Sequence, residues 1–178
     1  TPLYDVMKEH NHAVMGDSWG LETPMWFAPS ANEAHDVLSF HRSNDFEHIS
    51  REVCQTRDSV GVTEISNFAK YEFSGEGAEA FLYRLMTNKM PARVGRIVLT
   101  PMLNENGKLI GDFTIAKAAE DRFMMWGSIA AQKYHMRWFE QHLPEDGSVT
   151  IKRFDANLVG LSLAGPRSRD VLQEICDT

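Results

Sequence analysis

Cysteine is scarce in this sequence, in which Cys54 and Cys176 are the only two. Two cysteines form one bridge at most, so the chain is not a small scaffold held together by disulfides. We therefore expect a reducing compartment, which is the cytoplasm or, in a eukaryote, the mitochondrial matrix. The N-terminus lacks the basic region and apolar stretch of a secretory signal. It also lacks methionine, so we interpret the chain as a fragment or a processed product.

Long apolar runs and clustered basic residues are missing as well. No segment reaches the roughly 20 apolar residues that a membrane-spanning helix needs. The formal net charge is −7, and the densest basic stretch, residues 167–169, is followed directly by Asp170. Proteins that bind nucleic acids usually present a clustered basic face. These absences argue against a membrane and against nucleic acid as partners.

Several motifs of enzyme and metal sites are absent too. The sequence has no phosphate loop, no Gly-x-Gly-x-x-Gly after a strand and no Cys-x-x-Cys. His135 and His142 are too far apart along one helix to share an ion, so we predict no metal site and interpret the histidines as surface or half-buried residues. Ser128 stands where a strand gives way to a helix, without the rest of a nucleophile elbow. Its position alone therefore predicts a helix N-cap.

The spacing of apolar residues predicts an α+β fold. Tyr71 and Phe73 alternate with polar neighbours as in a half-buried strand, and the Asn-Gly at 106–107 is a strong hairpin signal. Because hairpins join adjacent strands and helices lie between strand pairs, we expect a mixed, largely antiparallel sheet with packed helices. The predicted helices cover residues 1–12, 45–58, 76–87, 129–143 and a last segment to about 176, and the predicted strands cover 60–65, 70–73, 96–103, 108–118, 122–126, 148–154 and 158–163.

The first 44 residues differ from the rest of the chain. After the first helix, which has Pro2 in its first turn, residues 13–44 lack a clear period and are rich in turn formers. We predict an extended, aromatic-rich segment over 1–44, with weak strands, that Trp19, Trp26 and Phe27 anchor to the core. Residues 45–178 then form the main domain.

Asp112 lies within an apolar run, residues 109–115. In a regular strand it shares a face with Ile110 and Thr114. An ionised carboxylate inside a protein costs several kcal/mol unless it is paired or hydrogen-bonded. Two interpretations stay open. The aspartate points to solvent or pairs with a residue such as Arg96, or it lines an apolar pocket, where it can stabilise a cationic intermediate or take its proton.

Several segments, in order along the whole chain, resemble folate-binding aminomethyltransferases. The opening resembles that of the glycine-cleavage enzymes (T-proteins). The aromatic segment is similar to the Trp-Glu-x-Pro-x-Trp-Phe that precedes the folate domain of dimethylglycine and sarcosine dehydrogenases. The Thr-Pro-Met-Leu-Asn hairpin leading to Asp112 and the later Gly-Pro motif also match. The aromatic segment favours the dehydrogenase-linked branch. The segments that carry the resemblance are residues 1–5, 19–27, 61–70, 100–108 with 112, and 163–166.

The resemblance implies that the chain binds tetrahydrofolate. It implies transfer of a one-carbon unit at the aminomethyl or iminium level, which gives 5,10-methylenetetrahydrofolate. Asp112 falls on the family's essential aspartate, which would orient the folate and stabilise positive charge. Phe68 would be an apolar wall of the pocket, and Leu99, Met102 and Ser128 would be further cofactor-binding positions.

The chain also departs from the family pattern. Gly111 replaces a second aspartate, Leu99 replaces a tyrosine, and Ser128 replaces an asparagine. The family's domain is longer than this chain, so we interpret the chain as its N-terminal half and as an incomplete catalytic unit.

Three hypotheses follow from the resemblance and these departures. The first is one-carbon transfer from a small methylated amine or aminomethyl donor, in glycine cleavage or in the catabolism of dimethylglycine and sarcosine. A fused or separate flavin dehydrogenase would then be a partner, with FAD only in an upstream domain of the parent protein. The second is a folate-dependent sulfonium demethylase. The third is a non-catalytic scaffold or regulatory domain that has lost folate.

Overall fold

Every strand pairing in the structure is antiparallel. The computed structural model describes residues 3–18 and 20–176. The α-helices are α1 (Phe46–Asp58), α2 (Ala78–Leu85), α3 (Gln132–His142) and α4 (Ser168–Ile175). The strands are β1 (Ala13–Ser18), β2 (Leu21–Phe27), β3 (Gly61–Glu64), β4 (Ala69–Ser74), β5 (Ile97–Leu103), β6 (Leu109–Ala119), β7 (Arg122–Gly127), β8 (Thr150–Arg153) and β9 (Leu161–Ala164). The predicted α+β class is confirmed.

The chain folds into two compact units. One consists of Thr1–Ser66 together with Val159–Thr178, and the other of Asn67–Leu158. The second unit is therefore continuous in sequence, whereas the first is made from two separate stretches. The boundary that the sequence predicts between residues 44 and 45 stays a prediction.

A five-stranded sheet forms the frame of the Asn67–Leu158 unit, with strand order β5-β6-β7-β4-β8. Alternate residues of each strand point to one side, where α2 and α3 cover them and build the main core. We call this side the closed face and the other side the open face. Fully buried aromatic side chains on the closed face each contribute about 1.5–3 kcal/mol from apolar burial. They are Tyr71, Phe73, Phe113 and Phe123, against Phe139 of α3.

The turn between β5 and β6 follows the Asn-Gly signal. Gly107 has a φ of 72°, in the left-handed region that glycine adopts without strain. The Asn104 side-chain oxygen accepts hydrogen bonds from the backbone N–H groups of Asn106 and Lys108, at 3.0 and 2.9 Å. These contacts fix the hairpin, and with it the register of the strand that carries Asp112.

The unit that contains both termini has a smaller core of its own. Trp26 is buried there with Val14 and Ala28, and its indole N–H donates to Asp36 at 3.0 Å. Trp26 is thus buried as predicted, but in this separate small core and not in the main one, while Phe27 is half-buried. The predictions for Pro2 and Trp19 lie outside the described residues.

Besides α1 and α4, that unit contains a short π-helix, the strand pair β1–β2 and the long-range strand pair β3–β9. Within the predicted N-terminal helix, the structure has a π-helix over Val6–His10. The weak strands expected in the lead-in are β1 and β2, which pair with each other antiparallel. Strands β3 and β9 pair with each other, which joins the two separate stretches of the unit.

Cys54 and Cys176 are exposed free thiols. Over residues 3–18 and 20–176, no group of three or more His, Cys, Asp or Glu side chains is arranged to hold a metal ion. In the same ranges, no helix has both the length and the apolar character needed to cross a bilayer.

Candidate functional site

One edge of the five-stranded sheet gathers residues from several strands. Because the strands are antiparallel, the start of β4 and the end of β7 lie side by side, with Ala69 paired to Gly127. Phe68 directly precedes the first of these residues and Ser128 directly follows the second, and both are exposed. The local register therefore brings Phe68 and Ser128 to neighbouring positions at this edge.

Asp112 lies at the same edge, at the start of β6. Thr114 pairs with Trp126 of the next strand, so continuing this register by two residues aligns Asp112 with Ser128. Neighbouring strands are about 4.8 Å apart, which places the backbones at Asp112 and Phe68 about 10 Å from each other. The structure thus puts Asp112, Ser128 and Phe68 in one row across the strands.

Asp112 itself is exposed. No salt bridge to its carboxylate occurs in the part of the chain that the structure describes. Arg96 lies just before β5, whereas Asp112 pairs with Pro101 towards the other end of that strand. The interpretation in which Asp112 pairs with Arg96 is therefore wrong.

A bulge explains the apolar neighbourhood of Asp112. The register steps from Met102 opposite Gly111 to Leu103 opposite Leu109, so Ile110 is an extra residue in β6. Its side chain turns into the core and is only 6% exposed. The prediction that Ile110 shares a face with Asp112 is therefore wrong, because the bulge interrupts the alternation.

Beside Asp112, the open face carries exposed apolar side chains. Leu99 is 66% exposed and Ile97 is 57% exposed. Leu99 pairs with Thr114, which pairs in turn with the half-buried Trp126. We call Ile97, Leu99 and Trp126 the apolar strip. An apolar surface beside a carboxylate can hold a flat heterocycle by its ring and hydrogen-bond its N–H groups.

Met102 does not belong to this group. It lies in the main core and is 0% exposed, on the closed face. Successive side chains of a strand point to opposite sides, so a residue three positions after Leu99 faces away from it. Its placement does not support the prediction that Met102 binds a cofactor.

Ser128 also differs from the expectation based on position alone. Helix α3 begins at Gln132 with Ala131 at its N-cap position, and no side chain caps it. The N-cap prediction for Ser128 is therefore wrong, and the exposed hydroxyl is available at the edge of the sheet.

The sequence did not single out His135 as a buried residue. Its side chain is 1% exposed, beneath the bulge on the closed face, which contradicts the prediction of surface or half-buried histidines. Burial lowers the pKa of His135, while the Ile110 carbonyl and the charge of Asp112 oppose this shift. The imidazole is therefore neutral at pH 7. Its position one helical turn before Phe139 is the signal that could have revealed its burial.

Comparison with known proteins identifies the family. Residues 3–178 match the family described as the GCVT N-terminal domain. The chain is 31% identical over 180 residues to the mitochondrial pyruvate dehydrogenase phosphatase regulatory subunit of Mus musculus, which covers 98% of this chain and 20% of that protein. It is 30% identical over 162 residues to mitochondrial dimethylglycine dehydrogenase of Homo sapiens, which covers 90% of this chain and 19% of that protein.

A solved structure supports the fold. The chain superimposes with a TM-score of 0.77 and 21% identity on the glycine cleavage system aminomethyltransferase T from Bartonella henselae, covering 98% of this chain and 42% of that one. The chain spans about a fifth of the length of the two curated relatives. The resemblance inferred from the ordered segments is confirmed, and the chain belongs to the GCVT N-terminal domain family of folate-dependent aminomethyltransferases.

Proposed function

We propose that this chain is the N-terminal part of a tetrahydrofolate-dependent one-carbon transferase whose product is 5,10-methylenetetrahydrofolate. The observation that carries this proposal is the placement of an exposed carboxylate, Asp112, in one row with Ser128 and Phe68 and beside the apolar strip. This arrangement fits a flat, nitrogen-rich ring system. Bound tetrahydrofolate supplies the nitrogens that take up the one-carbon unit.

The carboxylate of Asp112 has two roles in this proposal. It accepts hydrogen bonds from N–H groups of the ring, which sets the orientation of the ring on the sheet. Its negative charge also stabilises the positive charge of an iminium-level carbon near it. The described residues form no salt bridge with Asp112, so the proposal assigns its charge to the ligand.

Phe68, Leu99 and Ser128 complete the proposed surface. Leu99 and Phe68 are exposed apolar side chains and give up unfavourable contact with water when a ring covers them. The hydroxyl of Ser128 can donate or accept one hydrogen bond at the same edge. In the proposal these residues bind and orient the ring. None of them is charged, so none can replace the carboxylate of Asp112.

The donor and the partners are proposed for the whole protein. One relative is named a dimethylglycine dehydrogenase, so we propose a small methylated amine as the source of the carbon. The flavin, FAD, would belong to another domain or to a partner protein. Both relatives are named as mitochondrial, which supports a matrix location if the protein is eukaryotic.

The test is the Asp112→Asn variant of the full-length protein. We expect formation of methylenetetrahydrofolate to fall on the order of a hundredfold, because the negative charge is lost while the shape is kept. The unfolding temperature should not change, since Asp112 is exposed. Asp121→Asn is the matched control, at an exposed aspartate in the turn between β6 and β7. Wild-type turnover by the Asp112→Asn variant would contradict the proposal. Methyltetrahydrofolate formed from sulfonium donors would support the demethylase hypothesis instead.

A regulatory function is the second candidate. The relative with 31% identity is named a regulatory subunit of a phosphatase, and the match covers 98% of this chain. Leu99 and Gly111 also lack the polar groups that the resemblance leads us to expect. Calorimetric titration of the full-length protein with tetrahydrofolate separates the two candidates. Heat that saturates supports the transferase, and no heat at high ligand concentration supports the regulatory domain.

A further inference from the structure

The bulge in β6 leaves a backbone group without a strand partner. Ile110 has no opposite residue on β5, so its carbonyl oxygen must accept a hydrogen bond from a donor outside the β5–β6 ladder. The Nε2 atom of His135 lies 3.3 Å from this oxygen. His135 comes from α3, on the closed face, and therefore ties the bulge to the helix beneath it.

This contact determines the tautomer of His135. A carbonyl oxygen can only accept, so Nε2 carries the proton and Nδ1 is left as an acceptor. The hydroxyl of Tyr71 lies 3.4 Å from Nδ1 and 3.4 Å from the Gln132 carbonyl oxygen, and its single proton can be donated to either acceptor. The ring of Phe113 packs edge-on at 4.7 Å between centroids. Groups from β4 and β6 thus fix the orientation of the imidazole.

Gly111 provides the space that the imidazole occupies. A Cβ atom added at residue 111 would lie 2.6 Å from Nε2 of His135 and 2.9 Å from Cζ of Phe113. Both distances are far below ordinary van der Waals contact. A side chain at residue 111 and the imidazole in its present position therefore exclude each other.

We propose that His135 is a positioning residue for Asp112. Its imidazole holds the bulged segment at residues 110–111 from the closed face, so that the next residue, Asp112, points to the open face beside the apolar strip. Gly111 is required because any side chain there displaces the imidazole. The role of Asp112 in this inference rests on the proposed function, whereas the anchoring of the bulge does not. His135 lies on the opposite side of the sheet from the proposed ligand and is not a catalytic residue.

The experiment compares variants of the full-length protein. His135→Leu removes the hydrogen bond to Ile110 but keeps an apolar side chain. His135→Gln keeps an N–H donor at a similar reach. Phe81→Leu alters the same core from α2, at a ring that packs against Phe73, and serves as the control. Hydrogen exchange, measured by mass spectrometry on peptides covering 109–113, reports on the bulge. Calorimetry reports the Kd for tetrahydrofolate.

We expect His135→Leu to speed exchange at 109–113 and to weaken tetrahydrofolate binding, each about tenfold. His135→Gln should restore most of both. Phe81→Leu should lower the unfolding temperature and leave the local exchange and the Kd close to wild type. Gly111→Ala should reproduce His135→Leu. The double variant should lose little more than either single one, because both changes act through one contact.

Two results would overturn the inference. One is wild-type exchange at 109–113 in the His135→Leu variant. The other is equal effects of His135→Leu and Phe81→Leu on exchange and Kd, which would indicate general loosening of the core. If exchange rises as expected but Asp112→Asn binds and turns over folate normally, the anchoring of the bulge is supported and the proposed function has failed.

Discussion

The closed and open faces of the five-stranded sheet use alternate residues of the same strands. In β6, Phe113 is fully buried on the closed face, and its neighbour Asp112 is exposed on the open face. In β5, the fully buried Met102 and the exposed Leu99 show the same contrast. The closed face provides stability, and in the proposed function the open face binds the ligand. A substitution on the closed face should therefore lower stability, whereas a substitution at the neighbouring residue on the open face should weaken ligand binding.

The largest effect should come from the closed face. Phe113→Ala removes a fully buried ring, and we expect a loss of about 3–5 kcal/mol in the free energy of unfolding. Denaturant unfolding of the full-length protein measures this loss. Asp112→Asn, one residue away, is the matched control and should leave stability within about 0.5 kcal/mol of wild type. Equal destabilisation by both substitutions would contradict the separation of the two faces.

The next effect should be on binding and come from the open face. Leu99→Asn replaces an exposed apolar side chain of the apolar strip without adding charge. We expect tetrahydrofolate to bind about tenfold more weakly, because the ring no longer covers an apolar surface, with no change in unfolding temperature. Val94→Asn changes an exposed apolar residue outside the strip and should leave the Kd unchanged. An unaffected Kd in the Leu99→Asn variant would remove the strip from the proposed site.

The third effect depends on pH and comes from His135. Burial holds its pKa in the folded protein below the ordinary value of 6.5, so the folded state prefers the neutral imidazole. The resulting stability is fully present above pH 6.5 and is lost as the pH falls through the folded-state pKa. The groups that face the ring are the Tyr71 hydroxyl and, through its charge, Asp112.

Unfolding temperatures measured from pH 8 to pH 5 test this dependence. The wild type should lose stability below about pH 6.5, and the His135→Gln variant should lose less, because glutamine does not titrate. His142→Gln is the control on the same helix, where the histidine is half-buried. Identical pH profiles for the wild type and His135→Gln would show that His135 does not titrate as its burial predicts.

The smallest effect should come from the salt bridges of Lys117 in β6. Lys117 forms salt bridges of 3.0 Å with Glu79 and 3.1 Å with Glu120, and these contacts raise the pKa of Lys117. Glu79→Gln removes one of them, and we expect a small decrease in unfolding temperature that disappears at high salt. Glu76→Gln, at an exposed glutamate three residues earlier, should have no such effect. A loss as large as that from Phe113→Ala would mean that this ion pair is an essential part of the core.

The local elements could be predicted because their signals lie within a few residues. Tyr71 and Phe73 alternate with polar residues, and the Asn-Gly pair marks the β5–β6 turn, so both features follow from sequence. The bulge at Ile110 could not be predicted, since one extra residue in a ladder leaves no compositional trace. The burial of His135 depends on that bulge and on a helix packed from elsewhere in the chain.

The candidate site was predicted in part. The resemblance gave Asp112, Phe68, Leu99 and Ser128, which the structure places on one side and edge of the sheet, but their roles stay predictions. Met102 was also predicted to bind the cofactor, from the Thr-Pro-Met-Leu-Asn motif. Counting positions along β5 would already have placed it on the face opposite Leu99. Trp126 was not predicted, because its place beside Thr114 depends on the register between β6 and β7.

The pairing of β3 with β9 has a consequence for synthesis on the ribosome. Gly61 pairs with Ala164 and Glu64 pairs with Leu161, so β3 emerges about a hundred residues before its partner. The ladder cannot close until β9 has left the exit tunnel, whereas every strand of the five-stranded sheet has emerged earlier. During that interval β3 is an unpaired strand edge, which is a point of attack for aggregation and proteases. We therefore expect stalls that hold residues 154–160 at the tunnel exit, after β8 has emerged and before β9 has, to lower the yield of folded protein more than stalls after β9 has emerged.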